Sequence, residues 1–184
     1  MKKVLYAVLV VVVVVLLYGG AVYNNLVNKN EGIDNQWAQV ESQYQRRFDL
    51  IPNLVNSVKG AMKQEQEVFG KLADARTKYG SAATVNDKAK AASEVESALG
   101  RLLVVMENYP QLKSSDTVIT LMSQLEGTEN RISVERKRFN DATQEYNLIV
   151  KRFPSKLVAV MFGFGEKNYF ESATGAENAP NVSF

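Results

Sequence analysis

Cysteine and histidine are both absent from the 184 residues. Their absence removes disulfides, thiol nucleophiles, imidazole bases and every zinc site built on Cys or His. Paired acids on facing helices can hold two metals, but that arrangement normally includes Glu-x-x-His motifs. No catalytic, cofactor-binding or metal residue is therefore expected. A charge excess is lacking as well: 22 Lys and Arg stand against 20 Asp and Glu, for a formal net charge of +2. The electrostatic footprint of a nucleic-acid binder is missing, and no such partner is expected. Runs of strand-like alternation are absent too, so the fold class expected is all-α.

What is present begins with an apolar run. Lys2 and Lys3 precede Val4 to Tyr18, and Gly19, Gly20, Ala21, Val22 and Tyr23 extend the run to about twenty residues, enough to cross roughly 30 Å of hydrocarbon. Twelve of the fifteen residues from Val4 to Tyr18 are Val or Leu, which favours insertion by about 5 kcal/mol. Lipid forces backbone hydrogen bonds to close internally, so this run is a helix despite its valines. A cleaved signal peptide is the competing reading, with Gly19, Gly20, Ala21 as a weak small-residue cleavage site; the run exceeds the usual apolar core of such peptides. Two lysines before the span, against Lys29 balanced by Glu31 and Asp34 after it, predict a cytoplasmic N-terminus and an extracytoplasmic bulk domain. The expected organisation is a transmembrane anchor over 1–23, a helical bundle over 24–165 and a mobile, Ala-, Gly-, Asn- and Pro-rich tail over 166–184.

From Ile33 the apolar positions Trp37, Val40, Tyr44, Phe48, Ile51, Val55, Val58, Met62, Phe69, Leu72 and Tyr79 keep a three-and-four spacing. One long helix is predicted, kinked but not reversed at Pro52 and ending near Gly80. A second runs from about Asp87 to Met106, with Val95, Leu99, Leu102, Leu103 and Met106 as its stripe and Thr84 or Asn86 as caps. A third starts near Ser115 or Asp116 and repeats Val118, Leu125, Ile132, Phe139, Tyr146 and Phe153 every seven residues, a coiled-coil period, until Pro154 stops it. A short helix follows. The architecture expected is an elongated bundle of three long helices, the first kinked at Pro52, with a short C-terminal helix.

The predicted lengths do not match. The third helix measures about 57 Å and the second only about 30 Å, at 1.5 Å per residue. Either Glu107 to Ser114 descends as extended chain, or Leu26 to Asn53 finds no partner in its own chain and packs between subunits. In the first arrangement Arg46 to Asn53 stand level with Glu129, Asn130 and Arg131, so Asp49 with Arg131, or Arg47 with Glu129, can form partly buried pairs that fix the bundle's register. An ordinary solvated helix face is the plain alternative. The C-terminal run with Leu157, Val160, Met161, Phe162 and Phe164 is too short to span a bilayer and is read as a capping helix, or else as a patch touching lipid or a second subunit. Trp37 and Tyr44 on the first stripe are read as core or as oligomer contacts.

Three segments carry a resemblance: Arg46, Arg47, Asp49, Leu50, Ile51, Pro52, Asn53; then Glu107, Asn108, Tyr109, Pro110, Gln111, Leu112, Lys113; then Thr128, Glu129, Asn130, Arg131, Ile132. With Trp37, Arg136, Phe139, Asn140, Tyr146, Asn147, Phe153 and Pro154, this pattern strongly resembles the LemA family over most of the chain after the anchor. The resemblance implies a bacterial protein with an N-terminal transmembrane helix and a long helical bundle, of poorly established molecular function. Family members are often encoded near membrane zinc metalloproteases. The family's usual description places the short N-terminus outside the cell, opposite to the lysine argument.

Function is accordingly expected to be non-enzymatic. Asp49, Glu107 and Glu129 are the only acids in recognisable motifs, and no spacing makes a catalytic pair of them. The expectation is a scaffold in the bacterial inner membrane, in contact with lipid, that assembles as a homo-oligomer and organises or remodels the bilayer. The alternative is a regulatory adaptor for a membrane metalloprotease or sensor system, which rests on analogy.

Overall fold

A computed structural model describes residues 1–170, and every element in that stretch is helical. The helices are α1 (Lys2–Lys59), α2 (Gln66–Ser81), α3 (Val85–Met106), α4 (Pro110–Lys113), α5 (Asp116–Lys151) and α6 (Ser155–Met161). The described chain divides into two units. One comprises Met1–Ala38 and Lys137–Tyr169, the other Gln39–Arg136 with Phe170. Helices α1 and α5 contribute to both.

The second unit holds the end of α1, all of α2 and α3, the short α4 and the first part of α5, and its order corrects the sequence expectation. The first long helix does not reach Gly80: it ends at Lys59, and a turn of short backbone bonds, Ala61 N–H and Met62 N–H to the Val58 carbonyl and Glu65 N–H to that of Met62, reverses the chain. Tyr79, near the end of α2, meets Phe48 with ring centroids 4.5 Å apart and Tyr44 at 5.3 Å, so α2 runs back along α1. The periodicity masked the reversal because Met62 is fully buried in the turn itself. The stripe records which residues are buried, not which helix carries them. Pro52 lies inside α1, which is helical on both sides of it; the ring removes only the one N–H that would bond to Phe48.

Helix α3 then returns beside α2. Its start is set by Thr84, whose hydroxyl accepts from the Asp87 N–H at 3.1 Å, as a residue at this position should. Lys78 of α2 meets Glu94 of α3 at 2.7 Å across this hairpin. The stripe Val95, Leu99, Leu102 and Met106 is buried, together with Val118, Leu125 and Ile132 of α5. Each such side chain contributes about 1.5 to 3 kcal/mol of hydrophobic stabilisation. Glu107 to Ser114 is not extended: Glu107 to Tyr109 form a turn, and Pro110 opens the short α4, where its missing N–H is not needed. The length mismatch vanishes because α2 and α3 form one out-and-back pair, so α5 starts where α3 ends.

In the first unit α1 and α5 pair antiparallel. Leu26 and Ile33 are buried with Phe139, Tyr146 and Val150. Trp37 packs edge-on to Phe139 at 5.4 Å, and Lys29 reaches Glu145 at 2.6 Å. Buried residues from Leu26 to Ile51 thus find partners within one chain, which removes the argument that this stretch must pair between subunits. The seven-residue stripe of α5 is buried from Val118 to Tyr146, whereas Phe153, beyond the helix end, is 81% exposed.

The turn into α6 contains a cis Phe153–Pro154 peptide. Gly163, at φ +74°, ends α6 in a left-handed conformation that side chains disfavour. With it, Gly163 N–H bonds to the Val160 carbonyl and Phe164 N–H to that of Ala159, the usual closure of a helix by such a glycine. The following segment is fastened to α5 by Asn147, whose side-chain amide accepts from the Lys167 N–H and donates to its carbonyl, both at 2.8 Å. Glu166 adds a 2.8 Å ion pair to Lys151. Of the tail expected over 166–184, residues 171–184 lie outside the described residues.

Candidate functional site

Arg47 is the centre of the second unit's polar interior. It is only 6% exposed, because α1 turns this position toward α3 and α5 between the buried Tyr44 and Ile51. Its guanidinium pairs with Glu129 of α5 and stands 3.7 Å from Glu96 of α3. Glu96 also receives Arg136 of α5 at 3.3 Å and the Tyr44 hydroxyl at 3.4 Å. Two arginines and two glutamates therefore balance in charge across three helices. Arg136 in turn lies over the Phe170 ring, 4.5 Å from its centroid.

Burial pushes the Glu96 carboxyl above the ordinary carboxylate range. Arg136 opposes this, Glu129 adds to it, and Arg47 and the Tyr44 hydroxyl oppose it. Burial and the neighbouring Glu96 hold the Tyr44 phenol well above its ordinary value, and burial with Glu41 does the same for Tyr79. These are neutral phenols in a charged cluster, suited to register and packing. Tyr44, expected as a core residue or an oligomer contact, is 1% exposed and belongs to the core.

Beside the cluster an apolar groove of about 750 Å³ opens among α3, α4 and α5. Leu99, Leu103, Met106, Leu112, Ile119 and Met122 wall it, and Arg47, Glu107, Glu126 and Glu129 supply its polar edge. Ile119 is 51% exposed. Three carboxylates against one arginine, itself paired with Glu129, leave the rim acidic.

The other residues singled out from sequence are scattered. Arg46, Asp49, Asn53, Asn130 and Arg131 are exposed on α1 and α5. Asp49 accepts from Gln45 at 2.9 Å, and the Asn53 amide donates to the Asp49 carbonyl at 3.4 Å. The expected alternatives thus separate: Arg47 with Glu129 forms a pair, and Asp49 stays on the solvated face. Glu107 and Asn108 are exposed in the turn after α3, and the Tyr109 hydroxyl donates to Glu65 at 3.2 Å, joining that turn to the one after α1. Sequence reasoning missed Glu96 and Glu65, since single glutamates flanking apolar stripes carry no distinguishing pattern. Among the described residues no group of three or more His, Cys, Asp or Glu could hold a metal ion.

In the first unit the aromatic Tyr23 meets Phe162 at 4.8 Å and Phe164 at 5.7 Å between ring centroids. Leu157, Val160 and Met161 of α6 and Phe162 just after it are exposed, and Phe164 is half-buried. The first part of α1 has an eighteen-residue window of mean hydropathy 2.7, none of it buried in the chain, so α1 is long and apolar enough to cross a membrane.

The sequence profile of the LemA family matches residues 36–184. The chain belongs to the LemA family. Among its relatives, magnetosome protein MamQ 2 of Paramagnetospirillum magneticum is 27% identical over 175 aligned positions, covering 81% of this chain. Magnetosome protein MamQ of Magnetospirillum gryphiswaldense is 26% identical over 174, covering 80%. This LemA-family chain spans 64% of the length of each of those relatives. Protein LemA of Metamycoplasma hominis is 22% identical over 157 positions, covering 85% of this chain and 71% of its own length. None of these names states a reaction.

Proposed function

We propose that this LemA-family protein is a non-enzymatic scaffold, anchored in the bacterial inner membrane by α1, that self-associates at the membrane surface and organises the bilayer there. Its short N-terminus is cytoplasmic and the bulk of the chain extracytoplasmic, by the lysines before the span. The observation that carries the reading is the apolar groove of the second unit. An open, apolar-walled groove on a helical bundle suits the apolar face of a helix, here from a second copy of the chain.

The acidic rim also suits a basic segment of a different protein, and the second reading, an adaptor for a membrane metalloprotease, would use the groove in that way. Mass photometry of the full-length protein in mild detergent, over a concentration series, separates the two. A discrete oligomer that Leu103→Glu and Ile119→Glu reduce to a monomer supports the scaffold. A monomer at every concentration overturns it and favours the adaptor.

A further inference from the structure

The short helix α6 presents a surface that a water-soluble protein rarely shows. Val158 and Ala159 are buried, while Leu157, Val160, Met161 and Phe162 point outward, with Val160 and Met161 each 72% exposed. Phe153, two residues before the helix, is 81% exposed as well. A contiguous group of this kind marks a place where something apolar belongs.

What covers it follows from Tyr23. The apolar run of α1 from Val4 to Tyr23 is about 30 Å long at 1.5 Å per residue, so its two ends fall at the two faces of the hydrocarbon layer. Tyr23 is at the second end, the position where an amphipathic ring sits at headgroup level. Phe162 and Phe164 touch that same ring. The left-handed Gly163 is what turns Phe164 back onto it. Helix α6 therefore stands at the depth of the lipid interface, on the same unit as the span. Arg152 and Lys156, both exposed, flank the apolar residues with charges that suit phosphate headgroups.

We infer that α6 is an interfacial foot, its Leu157, Val160 and Met161 embedded in the bilayer boundary beside the exit of α1, where Tyr23 joins the two. The inference rests on the anchoring part of the proposed function and is independent of self-association.

The absence of native cysteine makes the test direct. Single variants Val12→Cys, Gln124→Cys, Val160→Cys and Met161→Cys of the full-length protein are labelled with a nitroxide and reconstituted in vesicles of phosphatidylcholine and phosphatidylglycerol. Collision with oxygen, which concentrates in lipid, is compared with collision with a water-soluble nickel chelate. The expected result is that labels at 160 and 161 favour oxygen over nickel at least several-fold more than the label at 124, and approach the label at 12. Nickel access at 160 and 161 equal to that at 124, with 12 still in lipid, overturns the foot and leaves the anchor standing. A label at 12 open to nickel overturns both. Protection from both reagents at 160 and 161, with dipolar broadening that disappears on dilution with unlabelled protein, overturns the foot in favour of a contact between copies.

Discussion

Arg47 of α1 and Glu129 of α5 are ion-paired although 82 positions separate them in the chain. The arginine is nearly enclosed, whereas the Glu129 side chain keeps 44% of its exposure, so the two ends of the pair are unequal. Removing the buried end should hurt more than removing the exposed one. Arg47→Ala, which leaves Glu129 without its arginine and Glu96 with Arg136 alone, is expected to lower stability by about 2 to 3 kcal/mol, and Glu129→Ala by about 1 kcal/mol. Denaturant unfolding in mild detergent reads both, and equal losses would mean that the pair contributes little to register.

Glu96 gives the cluster a pH signature. Its carboxyl is raised in the folded protein, mainly by burial. The native state then holds a proton that the unfolded chain has already released, so this group's contribution to stability falls as pH rises from the ordinary carboxylate value through the raised one. Glu96→Gln cannot titrate, and its melting temperature relative to the parent protein should climb as pH rises through that window. Parallel curves for parent and variant would show that the environment of Glu96 is not desolvated.

The cap of α3 offers a local measure of helix initiation. Thr84→Ala removes the acceptor of the Asp87 N–H and should cost about 1 kcal/mol, whereas Thr84→Ser should leave stability nearly unchanged. Similar losses for both would assign the effect to packing of the threonine methyl.

Tyr109 tests how the turn after α3 is held. Its hydroxyl bond to Glu65 joins two turns that sequence alone left unrelated. Tyr109→Phe is expected to lower the melting temperature slightly and Tyr109→Ala more, since the ring is half-buried. Loss of protection of the residue 60–65 amides in hydrogen exchange, in the phenylalanine variant, would localise the effect.

The sequence was legible where periodicity and stop signals coincide. Thr84, Met106, Asp116 and Pro154 bound α3 and α5 within a few residues of where they were expected, because a cap or a proline sits beside an apolar stripe. The reversal after Lys59 was hidden for the opposite reason. Met62 is buried inside the turn, and Val68, Phe69 and Leu72 resume a helical spacing immediately after it, so burial continued without interruption while the backbone changed direction. Of the polar cluster, Arg47 and Glu129 were named as a candidate pair, but from an arrangement with an extended Glu107 to Ser114 that the structure does not adopt. Glu96 was not, since its place depended on α3 lying beside α1, which the hidden reversal decides. Nor was the contact of Tyr23 with Phe162 and Phe164, which follows the left-handed Gly163 at the end of α6.

The clasp between Asn147 and Lys167 closes a loop of about twenty residues and ties the segment that carries α6 back to α5. Within it Val158 and Ala159 are buried and Phe162 meets Tyr23 of α1, so the residues that can change without disturbing that packing are the exposed Leu157, Val160 and Met161. The loop is thus held from within, and its outer face alone is left to meet the surroundings.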